Sequence, residues 1–352
     1  MADISSQIIE RIEVARRAGE PLSIVAGGSK RFVGRATNAS PLEVADHEGI
    51  VSYEPGELVL TVRAGTRLTE IEAALAEHDQ ALQFEPPNFD GAATIGGTLA
   101  CNASGPARPW SGSVRDAVLG VELVTGRAER LRFGGRVMKN VAGFDVSRLQ
   151  AGALGAFGVI AEISLKVLPR PQHTVTLVRD FDAQDALVHM NELAGSAKPL
   201  SGACWHDGRV YMRFSGAESA VDAAAKQWGG ERLDDAASFW REVAEQHLPY
   251  FRTGFPLWRF SVRSSSPLPQ LEGDWLIDWG GAQRWIHGDF DKEALSRLAE
   301  SAGGHVSLYR GGDRRGEVHH ALPEALRSLH LRLKDAFDPD RVLNPGRLYG
   351  WM

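Results

Sequence analysis

The sequence predicts an α+β protein of two domains with a returning tail, and three observations carry that prediction. At 352 residues the chain is too long for one ordinary core. The stretch VIAEISLKVLP, 159–169, is a clean strand that Pro169 and Pro171 stop, which puts a domain boundary there. Beyond it, hairpins and helices follow in mixed order, the pattern of a domain built on an antiparallel sheet. The expected units are 1–170, 171–330 and a tail, 331–352.

The first half alternates strands with glycine-rich stretches. MADISSQIIERIEVARR places Ile8, Ile9, Ile12 and Ala15 on one face of a helix. It lacks the continuous apolar centre of a signal peptide, and no run nears the ~18 apolar residues of a membrane span. Leu22, Ile24 and Val25 form a β-prone run set directly against Gly27, Gly28, Ser29 and Lys30. LVLTVR, 58–63, alternates with Leu58, Leu60 and Val62 on one face. Thr66 or Thr69 then caps TEIEAALAEH, whose apolar stripe is Leu68, Ile71 and Leu75 and whose Glu70 and Glu72 suit the positive helix end. VELVTGRAERLRF, 121–133, reads as two strands about a turn at Gly126.

After the boundary, TVTLVRDF is a strand and QDALVHMNELAG a helix. GACWHDGRVYMRFSG is a hairpin turning at Asp207 and Gly208. Helices near 217–228 and 235–247 precede the short strands LWRFSVR, DWLIDW and RWIHG. DKEALSRLAESAG is a helix, HVSLYRG a strand, and ALRSLHLRLKDAFDP a last helix before the tail DRVLNPGRLYGWM. Seven tryptophans between 205 and 285 give this domain the bulkier core. No internal repeat is visible in the sequence.

Composition narrows the function classes. A formal net charge of −6 argues against a nucleic-acid surface. Two cysteines, Cys101 and Cys204, have no metal-ligand spacing and suit a reducing, cytoplasmic compartment. HExxH is absent, and the adjacent His319 and His320 would point apart on a helix, so no metal site is expected.

Glycine patterning carries the chemistry. AGGSK, 26–30, lacks the spacing of a Walker A loop. GALGAFG, 152–158, runs into a strand rather than the helix a dinucleotide fingerprint needs. On its own AGGSK reads equally as a tight turn with a solvated lysine. A second stretch, FEPPNFDGAATIGGTLACNASGPARPWSGSVRD, 84–116, has little apolar periodicity, and small residues dominate it. Loops longer than about 12–15 residues in compact domains are usually functional. Small side chains bare the backbone N–H groups, which can then approach an anion. Two such loops suit a bulky ligand with a diphosphate in its middle.

Together AGGSK, PPNFDGAATIGGTLACNASGPARPWSGSVRDAVLGVELV and KNVAGFDVSRLQAGALGAFGVIAEISLKVLPRP resemble the FAD-binding domain of the PCMH-type, or vanillyl-alcohol-oxidase, flavoprotein superfamily. With the NPGR tail they are most similar to the FAD-binding subunits of bacterial glycolate dehydrogenases. The resemblance covers 20–170 and 338–349. It implies a two-subdomain FAD-binding fold with an α+β cap carrying an antiparallel sheet. It also implies that Gly27, Gly28, Ser29 and Lys30 wrap the diphosphate, with Lys30 either a point charge or solvated. Thr94, Ile95, Gly96, Gly97 and Thr98 then run nearest the cofactor, followed by Asn102, Ser104 and Gly105. Asp116 occupies an Arg-Asp position that serves either the cofactor or a local cap or ion pair with Arg115. Gly158, Val159 and Ile160 meet the adenine. Asn344 and Arg347 belong to the returning tail, which either joins the site or simply clasps the chain end.

Relatives that tether flavin do so through a histidine in the first loop; Ser29 and Lys30 stand here, so FAD is expected to bind non-covalently. Cys101 reads as a small buried hydrophobe, with tethering the alternative. The His-x-Gly-Asp-Gly-Asn stretch of catalytic relatives is missing; GGHVSLYRGGD is the nearest string, and its His305 is either a proton acceptor or structural. No catalytic residue is assigned. The leading expectation is an FAD subunit of a complex oxidising glycolate to glyoxylate, beside a catalytic flavoprotein subunit and an iron–sulfur subunit. The complex would be cytoplasmic or peripheral at the inner membrane. The alternatives are a self-sufficient FAD-dependent 2-hydroxy-acid dehydrogenase and a non-catalytic subunit that keeps the fold without flavin.

Overall fold

In the computed structural model, which describes residues 2–135 and 145–352, the N-terminal segment is a helix, α1 (Ser5–Ala18). It buries Ile8, Ile12 and Ala15, and Gly19 closes it at φ 64° with its N–H on the Ala15 and Arg16 carbonyls. β1 (Leu22–Val25) then pairs in parallel with β2 (Ser40–Glu43), Leu22 opposite Ser40 and Val25 opposite Glu43. Parallel neighbours need a connection of roughly a dozen residues or more. Residues 26–39 supply it without a helix, so AGGSK begins a long irregular crossover at the carboxyl end of β1.

β3 (Ile50–Glu54) and β4 (Val59–Arg63) open an antiparallel sheet, followed by α2 (Leu68–Ala76) and the short β5 (Gln80–Ala81). Neither threonine caps α2. Arg67 stands at its N-cap in extended conformation, while the Thr66 hydroxyl accepts from the Gly49 N–H (2.9 Å) and donates to the Arg63 carbonyl (2.7 Å). The turn leaving β4 takes that side chain before the helix can. Where the sequence suggests one long loop there are three short helices, α3 (Ile95–Ala100), α4 (Arg108–Ser111) and α5 (Val114–Ala117). Each is too short to show an apolar period.

β6 (Val118–Val124), β7 (Arg130–Gly134), α6 (Val146–Leu149) and β8 (Val159–Lys166) complete the domain, and β9 (Leu168–Pro169) pairs with β5. The sheet order is β3-β4-β8-β6-β7. β8 is central and covered on both faces, as its near-continuous burial requires. Leu68, Ile71 and Leu75 of α2 pack with Leu60, Val62, Ile163 and Leu165 in one core.

The second domain runs β10 (His173–Asp180), α7 (Ala183–Ala194), β11 (Leu200–His206), β12 (Arg209–Gly216), α8 (Glu218–Trp228) and β13 (Glu231–Arg232). Asp207 (φ 49°) and Gly208 (φ 73°) make the expected primed hairpin turn. After α9 (Ala236–Glu245) come β14 (Leu257–Ser261), β15 (Trp275–Asp278), β16 (Gln283–His287), α10 (Lys292–Ser301) and β17 (His305–Arg310). All eight strands form one antiparallel sheet in the order β13-β10-β12-β11-β15-β16-β14-β17. Read outward from its middle, the order of the first four strands repeats in the last four. The sheet is thus two ferredoxin-like units joined edge to edge at Trp205 opposite Ile277. The repeat is one of topology, and the sequence carries no trace of it. His319 and His320 lie in an irregular segment rather than on a helix, and α11 (Glu324–Phe337) begins only after them.

The second domain docks on the second glycine-rich stretch. The Glu245 carboxylate accepts from the Asn88 (2.7 Å) and Phe89 N–H groups, Arg213 pairs with Glu85 at 2.8 Å, and the Trp279 indole donates to the Gly105 carbonyl at 3.0 Å. The tail then returns. Leu343 bridges Leu22 in parallel, so the chain end borders the short parallel pair.

Candidate functional site

A cleft of about 580 Å3 opens between the parallel pair, α3, the start of β8 and the tail. That volume lies in the range of large small-molecule sites. Gly27, Gly28, Ser29 and Lys30 line one side, Thr94, Gly96 and Gly97 the next, and Gly158 and Ile160 a third, with Asn344 and Arg347 closing it.

The crossover loop has the features of an anion cradle. The N–H groups of Gly27, Gly28, Ser29 and Lys30 find no acceptor among the described residues. Gly28 sits at φ 71°, and a Cβ on Gly27 would meet the Ala92 carbonyl oxygen at 1.8 Å, so the main chain lies bare by necessity. Lys30 is 8% exposed, which excludes a solvated lysine. Its ammonium touches only the Ser29 hydroxyl at 3.4 Å and lies 5.3 Å from the centre of the Phe89 ring. Burial pushes its pKa down, with the Cys101 thiol and Glu245 opposing. A buried cation with no carboxylate in contact, beside four free amides, is a site for an anionic ligand.

The second stretch contributes a wall rather than a grip. The Ile95 N–H donates to the Thr66 carbonyl (3.0 Å), the Gly96 N–H to Ala64 (2.8 Å) and the Gly97 N–H to the Thr94 hydroxyl (3.2 Å). The bare amides expected there are therefore taken up by protein. Gly96 is required by packing, since its Cβ would stand 2.7 Å from that of Ala64. Ile95 and Val159 point into the core, and the buried Thr98 hydroxyl donates to the Thr94 carbonyl at 2.9 Å. Asp116 makes no ion pair with Arg115; it completes a capping box for α5 by accepting from the Ser113 N–H (2.9 Å) and hydroxyl (2.8 Å).

Asn102, Ser104 and Gly105 line a different, smaller cavity of about 50 Å3 on the cap side. Lys30 and Cys101 line both, so the two spaces adjoin. Burial pushes the Cys101 thiol up, which keeps it protonated. His305, at the start of β17, lines neither, nor do His319 and His320. Among the described residues no three His, Cys, Asp or Glu side chains gather to hold a metal ion, and no helix is long and apolar enough to cross a membrane.

Three residues escape sequence reasoning: Gly155, Arg259 and Asp278. Gly155, at φ 72°, lines the large cleft, because a Cβ there would strike Asn344 and Ile24 at 2.7 Å. Asn344 ties that wall together, accepting from the Ile24 N–H (2.8 Å) and donating to the Leu154 carbonyl (2.6 Å). Arg259 and Asp278 of the cap line the small cavity. The one signal for Arg259 was a lone charge inside the apolar strand LWRFS.

These residues fit a dinucleotide. Free amides and Lys30 suit a diphosphate, and the apolar flank at Ile160 suits a ring. Residues 3–134 match the family described as FAD binding domain. Glycolate oxidase subunit GlcE of Escherichia coli (strain K12) is 44% identical over 347 residues, covering 99% of this chain and 98% of that protein. A D-lactate dehydrogenase of Archaeoglobus fulgidus is 24% identical, covering 98% and 89%. Glycolate oxidase subunit GlcD of Bacillus subtilis is 31% identical over 138 residues, 39% of this chain and 29% of that one. Among solved structures, an alkyldihydroxyacetonephosphate synthase superposes with a TM-score of 0.68 at 14% identity, covering 97% of this chain and 75% of the other; it shares the fold.

Proposed function

The chain belongs to the FAD-binding flavoprotein family of glycolate oxidase subunit GlcE, and from that premise we propose that it is the FAD-carrying subunit of a glycolate-oxidising complex. It works beside a GlcD-like catalytic flavoprotein subunit and an iron–sulfur subunit. With only Cys101 and Cys204, the chain cannot ligate such a cluster itself. On this reading 1–170 is the FAD domain, 171–330 the cap and 331–352 the returning tail, and the complex is cytoplasmic or peripheral at the inner membrane.

The observation that carries the reading is the cradle at Gly27–Lys30: four free amides and a buried lysine without a carboxylate in contact. Those groups hold the diphosphate. Gly158 and Ile160 flank the adenine, and Arg347 holds the loop in place by donating to the Arg31 and Arg35 carbonyls, both at 2.7 Å. When bound, FAD supplies two-electron redox chemistry. The protein's part is to orient it toward the cap and exclude water. No histidine stands in the loop to tether it, so binding is non-covalent.

An absorbance spectrum of the purified chain tests this. One flavin per chain is expected, released intact by acid, together with copurification of a GlcD-like and an iron–sulfur subunit. A chain that takes up no FAD sinks the reading in favour of a subunit that keeps only the fold. Lys30→Met separates function from folding. A charge-assisted contact is worth roughly 1.5–3 kcal/mol, so FAD affinity is expected to fall about 10- to 100-fold. The empty chain should melt no lower than the parent, because an unpaired buried cation has been removed. Calorimetric FAD titration and melting of the empty protein check both halves.

A further inference from the structure

The mouth of the large cleft carries arginines that the cofactor reading leaves unspent. Arg31 and Arg347 line it, and Arg35, Arg310, Arg314 and Arg315 extend it along the loop after β17. Among the described residues none of the six has a carboxylate closer than 4.0 Å, the distance from Arg35 to Glu317. Four are held by neutral groups instead. Arg314 donates to the Gly34 carbonyl (2.7 Å), Arg347 to those of Arg31 and Arg35 (both 2.7 Å), Arg35 to that of Gly346 (2.8 Å), and Arg310 to the Gln246 side-chain oxygen (2.5 Å). The guanidiniums of Arg31 and Arg315 are exposed and make no hydrogen bond with any described residue. The nearby carboxylates serve the backbone: Asp313 accepts from the Arg315 N–H (2.9 Å) and Glu317 from the Gly350 N–H (2.8 Å). Residues 136–144, RVMKNVAGF, contain no carboxylate either. Burial pushes the Arg314 guanidinium down to about 10, and Arg347 pushes it the same way, as unscreened like charges do.

This excess runs against the sign of the whole chain, whose formal net charge is −6. A diphosphate held at Gly27–Lys30 would leave it in place, since Lys30 and the free amides already face that group. Like charges gathered on one surface repel until something of opposite sign meets them. Beside the arginines stands Phe255, 62% exposed, the most exposed large apolar side chain among the described residues. Its turn packs on Gly311, next to Arg310: a Cβ on Gly311 would lie 3.4 Å from the Pro256 Cα. Arginine and aromatic side chains are the ones enriched where proteins meet, and a guanidinium fork matches a carboxylate with two parallel hydrogen bonds. A bilayer surface is the poorer match. It suits a helix with a broad apolar face. Here the arginines sit largely on loops, four of them are tied down, and Phe255 is the one large exposed apolar group of those loops.

We propose that this arginine-ringed mouth is the docking surface for the carboxylate-rich face of a partner subunit, with Phe255 as its apolar anchor. The proposal rests on the reading above for taking that partner from the same complex. Because Arg31 and Arg347 also line the cleft, a subunit seated here would close over one end of the cofactor space. Opposite charges steer it into that orientation, while the net negative charge of the rest of the chain turns an acidic face away from other approaches.

The test measures binding of the purified chain to a separately purified subcomplex of the GlcD-like and iron–sulfur subunits, from about 50 to about 300 mM NaCl. Affinity should fall about 10-fold or more over that range. At the lowest salt Arg315→Glu and Phe255→Ser should each weaken binding about 10-fold or more, with FAD content and melting temperature unchanged. Arg232→Glu reverses a charge on β13, at the opposite edge of the cap sheet, and should change binding less than about 2-fold. Arg315→Lys should keep binding, and a carbodiimide should then join the introduced amine to an aspartate or glutamate of the subcomplex. Salt-independent binding, parental binding by both Arg315→Glu and Phe255→Ser, or no such crosslink overturns the proposal and leaves the functional reading standing. A parent that sediments with phosphatidylglycerol–phosphatidylethanolamine vesicles, and loses that but not subcomplex binding in Arg315→Glu, overturns it in favour of a membrane surface. A parent that does not bind the subcomplex fails the subunit reading and the proposal together. One that binds it but takes up no FAD fails the flavin reading alone, and the same variants then judge the docking surface.

Discussion

Asp338→Ala is expected to destabilise the protein by about 3–5 kcal/mol and to loosen its cofactor cleft, because it strands a buried ammonium. Lys334 and Asp338 are both fully buried and 2.6 Å apart. Asp338 also accepts from the Val342 (3.0 Å) and Leu343 (2.8 Å) N–H groups, and Lys334 donates to the Ala156 (2.8 Å) and Leu343 (2.7 Å) carbonyls. One ion pair thus joins α11 to the tail and to the loop before β8. The next residues, Leu343 and Asn344, pin β1 and the Leu154 carbonyl. The ammonium cannot escape to water, so its cost on losing the carboxylate is large. Lys334→Met should cost less, since the carboxylate keeps its two N–H donors, whereas Asp338→Ala strands the Val342 and Leu343 N–H groups as well as the ammonium. Denaturant midpoints of both variants, with and without saturating FAD, check the order. The larger loss should appear in Asp338→Ala, together with weakened FAD binding. Equal losses, or an Asp338→Ala protein as stable as its parent, would rule this clasp out as a main support of the cleft.

How much of this was legible in the sequence depended on the range of the interaction. Elements with a local period were readable. α1, β8 and the Asp207–Gly208 hairpin declare themselves through burial alternation or turn chemistry, and each forms where expected. The first cradle was readable because its physics is local: a strand end, two glycines, a lysine. The second stretch was not. Its glycines look like those of a phosphate loop, yet Gly96 is small because Ala64 crosses it, and Gly105 because the Glu85 carbonyl lies where its Cβ would be, at 2.2 Å. Asp116 shows the same limit in miniature. A Ser three residues earlier, in Ser113-Val114-Arg115-Asp116, is a capping-box spacing, and the local bond takes the side chain. The Lys334–Asp338 pair itself is an i,i+4 spacing, but its bond to the Ala156 carbonyl reaches 178 positions back, and that of the Trp279 indole to the Gly105 carbonyl 174. No short window on the sequence contains both partners of such bonds, or the topological repeat in the cap.

Asp278 carries the pH dependence expected of this fold. It is 3% exposed at the end of β15, and burial pushes its carboxyl up to about 7; the Trp279 N–H opposes this, Glu85 adds to it and Arg213 subtracts. The folded chain therefore keeps a proton that the unfolded chain releases near pH 4. Stability from this group is complete below about pH 4 and is lost as pH rises toward 7, by about 4 kcal/mol in all. Asp278→Asn stays neutral at every pH and still accepts from the Trp279 N–H. Its advantage over the parent should grow from about 1–2 kcal/mol at pH 5 to about 4 kcal/mol at pH 8, read from denaturant midpoints across that range. Parallel pH profiles for the two proteins would refute the assignment. A carboxyl that weakens its own fold this much at pH 8 needs some other reason to be there. It lines the small cavity on the cap side, where near neutral pH it can either donate or accept a hydrogen bond.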